Sequence, residues 1–80
     1  MHTIQFQLRA EFIELHKLLK ATGVCASGGE AKALVASGAV QVDGQRELRK
    51  AGKIRAGQTV QTGSTRIAVL APTAESETPK

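Results

Sequence analysis

Trp and Tyr are absent from this chain, and Phe occurs only at Phe6 and Phe12. Proteins that hold single-stranded nucleic acid usually stack its bases on exposed aromatic rings. Both phenylalanines fall on faces expected to point into the core, so no ring is left for that task. A nucleic-acid binder of this composition reads phosphates and shape, which favours structured RNA. Cysteine is almost missing as well. Cys25 stands alone, which rules out an intrachain disulfide, and no Cys/His spacing suits structural zinc. A small buried thiol is its default role. No apolar run approaches the roughly 18–20 residues that cross a bilayer. Charge interrupts the N-terminal MHTIQFQLRAEF too early for a signal peptide. The cytoplasm is the expected compartment, with no membrane partner.

Catalytic groups are scarce too. His2 is beside the start, and His16 has no partner at metal-ligand spacing. Glu11 and Glu14 share a helix side only loosely, and Gly28-Gly29 is too short for a nucleotide-binding fingerprint. No enzyme, cofactor or metal is expected. Eighty residues make one small domain, whose stability must come from an efficient core of Leu, Val, Ile and Ala.

What is present is concentrated in Val24 to Gly44, VCASGGEAKALVASGAVQVDG. Ser27 followed three residues later by Glu30 is a capping box, in which the serine oxygen accepts a first-turn N–H and the glutamate reaches back to the cap's own N–H. Ala31, Leu34 and Val35 then share a helix face, and Gly38 supplies a left-handed stop. Asp43-Gly44 is the preferred dipeptide of a two-residue hairpin turn. Gly28-Gly29 admits two readings: a helix N-terminus open to a phosphate, or close packing against the preceding helix.

Taken in order, Thr3 to Leu8 alternates as a half-buried strand suited to a sheet edge. Glu11 to Thr22 reads as the first helix, with Phe12, Leu15, Leu18 and Leu19 as its apolar stripe. Its glutamates come early and its lysines late, as the helix dipole prefers. Ile13, off the stripe, is expected to pack on the N-terminal strand. Gly23 to Ala26 joins this helix to the second as a helix–turn–helix. From Val40 the pattern is β, with hairpins around Asp43-Gly44-Gln45 and Thr62-Gly63-Ser64 and a turn at Ala56-Gly57. Strict alternation would put Arg46 and Lys50 on the side of Leu48, so a twisted or bulged segment is expected and the parity stays open. Residues 71–80 carry no apolar periodicity and read as a disordered tail, leaving 1–70 as the domain.

Charge is unevenly placed. Residues 46–55 hold Arg46, Arg49, Lys50, Lys53 and Arg55 against Glu47 alone, a local +4 that equals the formal net charge of the whole chain. Such a cluster is the electrostatic footprint of a nucleic-acid binder, or simply a solvated face.

The segments FIELHKLLK, SGGEAK, VASGAVQVDG, RELRKAGKI and AGQTV, from about Phe12 to Val69, together resemble the S-four domain, a small RNA-binding module named after a small-subunit ribosomal protein. More closely, the chain resembles the short stand-alone bacterial members of that family, the YbcJ-like proteins. It departs from the general pattern at Glu14, Leu15 and His16, where many members carry Arg-Leu-Asp, and at Ser27-Gly28, where many carry Ser-Arg. The resemblance implies an α+β fold, in which a two-helix helix–turn–helix packs on a small, mostly antiparallel β-sheet. It also implies an L-shaped surface of helix and hairpin that grips structured RNA such as ribosomal or transfer RNA. The matching RNA-binding positions are Lys32 on the second helix and Arg46, Arg49, Lys50 and Lys53 after the hairpin turn. Lys17 and Lys20 are further candidates that also serve as helix-face solubilisers. Their role would be charge-assisted hydrogen bonds to phosphate oxygens.

The expected protein is a monomer whose partners are structured RNA and ribonucleoprotein components. Two other readings stand beside it. One is a protein–protein adaptor in a ribonucleoprotein assembly. The other is a helix–turn–helix DNA binder, although Gly28, Gly29 and Glu30 offer little base readout at the start of a recognition helix.

Overall fold

The computed structural model describes residues 2–72; the expected tail lies almost wholly outside them. Nine elements follow one another: β1 (His2–Gln7), β2 (Phe12–Glu14), α1 (Leu15–Ala21), α2 (Gly28–Ala36), β3 (Val40–Val42), β4 (Gln45–Arg46), β5 (Lys53–Arg55), β6 (Thr59–Thr62) and β7 (Thr65–Leu70). Five strands form one sheet in the order β1-β7-β6-β3-β4, and β2 pairs with β5 as a separate two-stranded ribbon. All pairings are antiparallel except β1 with β7. β1 lies at the edge, as its place in the chain suggested. No described helix is long and apolar enough to cross a membrane.

The two helices pack together and complete one core: Leu8, Leu15, Leu18, Leu19, Cys25, Ala31, Val35, Val40, Ile54, Val60, Ile67 and Val69. Strand alternation explains the sheet's share, since Ile67 and Val69 on β7 stand two apart and both are buried. The hairpin turn also forms as its sequence dictates. Asp43 (φ 53°) and Gly44 (φ 83°) both take the left-handed conformation that a type I′ turn requires. Asp43 then ties the turn to β6, its Oδ1 accepting the Thr59 N–H at 2.9 Å.

α2 begins and ends where its caps say. Ser27 Oγ accepts the Glu30 N–H at 3.1 Å. The glutamate reaches one residue further back than expected, Oε1 accepting the Ala26 N–H at 2.6 Å instead of the cap's own. Gly38 stops the helix with φ 83°. Around Gly28 and Gly29 no other element approaches, so close packing against the first helix is not why glycine stands there.

α1 corrects the sequence reading. It starts at Leu15, with Glu14 as an extended N-cap whose side chain makes no capping bond. Phe12 to Glu14 is strand, paired Phe12 to Arg55, Ile13 to Ile54 and Glu14 to Lys53. Ile13 therefore stands opposite β5 in the ribbon, which accounts for its departure from the helical stripe. Both glutamates now precede the helix, and no acidic residue lies in its first turn. Phe12 is only half-buried and outside the core cluster, contrary to its expected place.

Candidate functional site

The basic segment between β4 and β5 is a short loop fixed at several points. The Glu47 carboxylate accepts the Arg49 N–H at 2.9 Å and the Arg49 guanidinium at 3.1 Å (Nε) and 3.3 Å (Nη2). Gly52 donates its N–H to the Arg49 carbonyl at 3.1 Å. A Cβ on Gly52 would stand 3.2 Å from that same carbonyl oxygen, a tight approach that favours glycine.

Two other carbonyls of the loop turn toward α1. Gly52 O accepts the Leu15 N–H at 2.9 Å, and Lys50 O accepts the His16 N–H at 2.9 Å. A helix start leaves its first N–H groups without intrahelical partners, so the loop does for α1 what Ser27 does for α2. His16 Nδ1 lies 2.8 Å from the same Lys50 oxygen and donates to it in the tautomer protonated there. With these carbonyls directed inward, the side chains of Leu48, Arg49 and Lys50 are exposed.

Neighbouring elements add to this face. The Arg46 side chain crosses the end of α2, its Cδ 3.4 Å from where a Cβ on Gly38 would be. Glycine is needed there for the turn and is consistent with the close approach of the arginine. Lys53 and Arg55, two apart on β5, lie over the Phe12 ring, with Lys53 Nζ at 4.9 Å and Arg55 Cζ at 5.7 Å from its centroid. Cations in that range are attracted to the ring face. Ala36, at the end of α2, and residues 48–53 line an open groove of about 770 Å³. Lys32 stands one helical turn before Ala36, on the same side of α2.

Charge and burial set the state of three groups. Hydrogen bonds from the Arg49 side chain, then its backbone N–H, hold the Glu47 carboxyl below the usual carboxylate value. The same pairing raises Arg49, which stays charged. Burial, and after it the charge of Glu30, push the Cys25 thiol up.

The structure thus brings Arg46, Arg49, Lys50 and Lys53 onto the loop and its flanks, with Lys32 along the adjoining helix. Lys17 is paired instead with Glu14, Nζ to Oε1 at 3.3 Å, and Lys20 is carried in the last turn of α1, away from its loop-bound start. Sequence reasoning counted Arg55 in the basic cluster but left it out of the candidate site, and it missed three further residues of this face. His16, Leu48 and the exposed side of Phe12 gave no local signal, because each depends on contacts across 30 or more residues or on a loop without regular structure.

A family model described as "S4 domain" matches residues 6–70. The YbcJ proteins of Escherichia coli (strain K12) and Shigella flexneri are each 48% identical to this chain over 59 residues, covering 74% of it and 84% of the relative. The solution structure of YbcJ from E. coli, described as revealing an "alfaL" motif involved in RNA binding, superposes with a TM-score of 0.69 at 42% identity. That match covers 89% of this chain and 91% of the other.

Proposed function

This chain belongs to the S4 domain family, and from that premise we propose that residues 1–70 form a non-catalytic domain that grips structured RNA through Lys32, Arg46, Arg49, Lys50 and Lys53. Lys17 and Lys20 contribute at the margin, Lys17 by leaving its surface pair with Glu14. Ribosomal and transfer RNA are the structured RNAs to test first. The protein acts as a monomer in the cytoplasm, among ribonucleoprotein components. One observation carries the reading. The 47–52 loop turns its Lys50 and Gly52 carbonyls into α1, which leaves Arg49 and Lys50 facing outward beside Arg46 and Lys53. A backbone phosphate meets donors there and few competing acceptors, and guanidinium and ammonium groups are strong phosphate donors.

The DNA-binding alternative is weakened by the start of α2, where Gly28, Gly29 and Glu30 present no cationic or amide side chain for base edges. The test of the RNA reading is affinity for an RNA hairpin across a salt series. About five phosphate contacts give a log–log slope on the order of −3 to −5. RNA affinity insensitive to salt would instead favour a protein–protein adaptor.

A further inference from the structure

Leu48 is 58% exposed, the most exposed large apolar side chain among the described residues. A lone surface leucine is ordinary, but this one lines a concavity. It faces the groove together with Ala36 and Ala51, and the remaining lining is Arg49, Lys50, Gly52 and Lys53. The lining thus combines an apolar strip with three cations and no acidic residue. The loop that carries Leu48 is held on both sides, by Glu47 on Arg49 and by His16 on the Lys50 carbonyl. Its geometry is therefore set before any ligand arrives.

We propose that this groove receives one unpaired nucleobase of a structured RNA, the base lying flat against Leu48 while its flanking phosphates meet Arg49, Lys50 and Lys53. This rests on the RNA-binding reading above and adds to it a preference for helices interrupted by a bulged nucleotide. At about 770 Å³ the open groove has room for a nucleotide, and it lies within the range of roughly 300–1,000 Å³ typical of ligand clefts. Apart from Leu48, the apolar residues of the lining are the small Ala36 and Ala51, and the rest is Gly52 and the three cations, so there is an open apolar strip and no enclosing apolar wall for the large side chain that anchors most protein interfaces. A flat base with a phosphate on either side matches both features. It also resolves the shortage of aromatic rings, because an aliphatic side chain takes the place of a stacking partner.

The probe is a short RNA hairpin carrying one bulged 2-aminopurine, compared with the same hairpin fully paired. Wild-type protein should bind the bulged hairpin roughly three- to tenfold more tightly, the effect of burying part of one leucine side chain. The 2-aminopurine emission should rise as the base leaves the stack. Leu48→Ser should abolish both the preference and the rise, while its thermal melt, its affinity for the paired hairpin and its salt slope match the wild type. Equal wild-type affinity for the two hairpins overturns the proposal and leaves the RNA reading standing, as does a Leu48→Ser variant that keeps the preference. No binding to either hairpin at low salt overturns both. Should Leu48→Ser fail to fold, the wild-type preference and emission decide. Binding of a leucine-containing acidic peptide that Leu48→Ser eliminates, with the two hairpins bound alike, assigns the groove to a protein and overturns the proposal.

Discussion

Arg49 is both a fixed part of the loop and an outward-facing cation. Its backbone N–H and guanidinium bond Glu47, yet its side chain is 82% exposed. Charge reversal would confuse these roles, since a carboxylate at position 49 would repel Glu47. Neutral replacement separates them. Arg49→Gln combined with Lys53→Gln should make the RNA salt slope shallower by about 2, one for each lost phosphate contact. The melting midpoint should move little, because the exposed Arg49–Glu47 ion pair and the exposed Lys53 over the Phe12 ring each add little to stability. An unchanged slope at matched salt would remove both residues from the interface.

Glu47 makes a pH-dependent prediction. Its carboxyl is depressed in the folded protein, so the loop bond is fully present above the ordinary value of 4.5 and is lost as pH falls through the lower folded value. The Arg49 amide proton, followed by NMR, should therefore shift on acidification with a midpoint below 4.5. A midpoint at or above that value would show that the amide is not bonded to the carboxylate.

At the scale of elements, the two helices begin in opposite ways. α2 carries its own start in Ser27 and Glu30, three residues apart, and the sequence announces it. Ser27→Ala removes the acceptor for the Glu30 N–H and should lower stability by about 0.5–2 kcal/mol. Denaturant melts measure this, and an unchanged midpoint would mean that the cap bond contributes nothing. α1 has no such signal. Its first N–H groups are satisfied by Gly52 and Lys50, more than 30 residues away, and Phe12–Glu14 pairs with β5. Helical periodicity running back to Phe12 looked like helix because Phe12, Leu15 and Leu19 share a helical spacing whatever Phe12 does. The bulky Phe12 and Ile13 fit a strand at least as well, and available pairing with β5 decides for it.

At the scale of the whole fold, the described residues share one small core, in which Leu15 occupies a particular place. Its side chain is fully buried and its N–H bonds the Gly52 carbonyl of the basic loop. Leu15→Ala should cost about 2–5 kcal/mol, a large part of the roughly 5–15 kcal/mol that keeps a domain folded. The variant should show a markedly lower urea midpoint, or no cooperative transition. A midpoint near that of the wild type would mean that the core relaxes around the loss.

The sequence by itself determined the parts whose causes are local. The Ser27 cap of α2, the glycine stop at Gly38, the Asp43-Gly44 turn, the alternation of β1 and the positive charge of residues 46–55 each arise from side chains a few positions apart. The structure also bears out the α+β class and the family resemblance. Only the tertiary structure decided where α1 starts, that β1 runs parallel to β7, and that Phe12 leaves the core to lie beneath Lys53 and Arg55. It alone settled the parity of the basic run as well. β4 ends at Arg46, and beyond it Leu48, Arg49 and Lys50 are arranged by the carbonyl bonds to Leu15 and His16, not by strand alternation. The physical reason is the same in each case. A backbone N–H or C=O must find a partner when buried, and nothing in a local stretch of sequence tells which distant group will supply it.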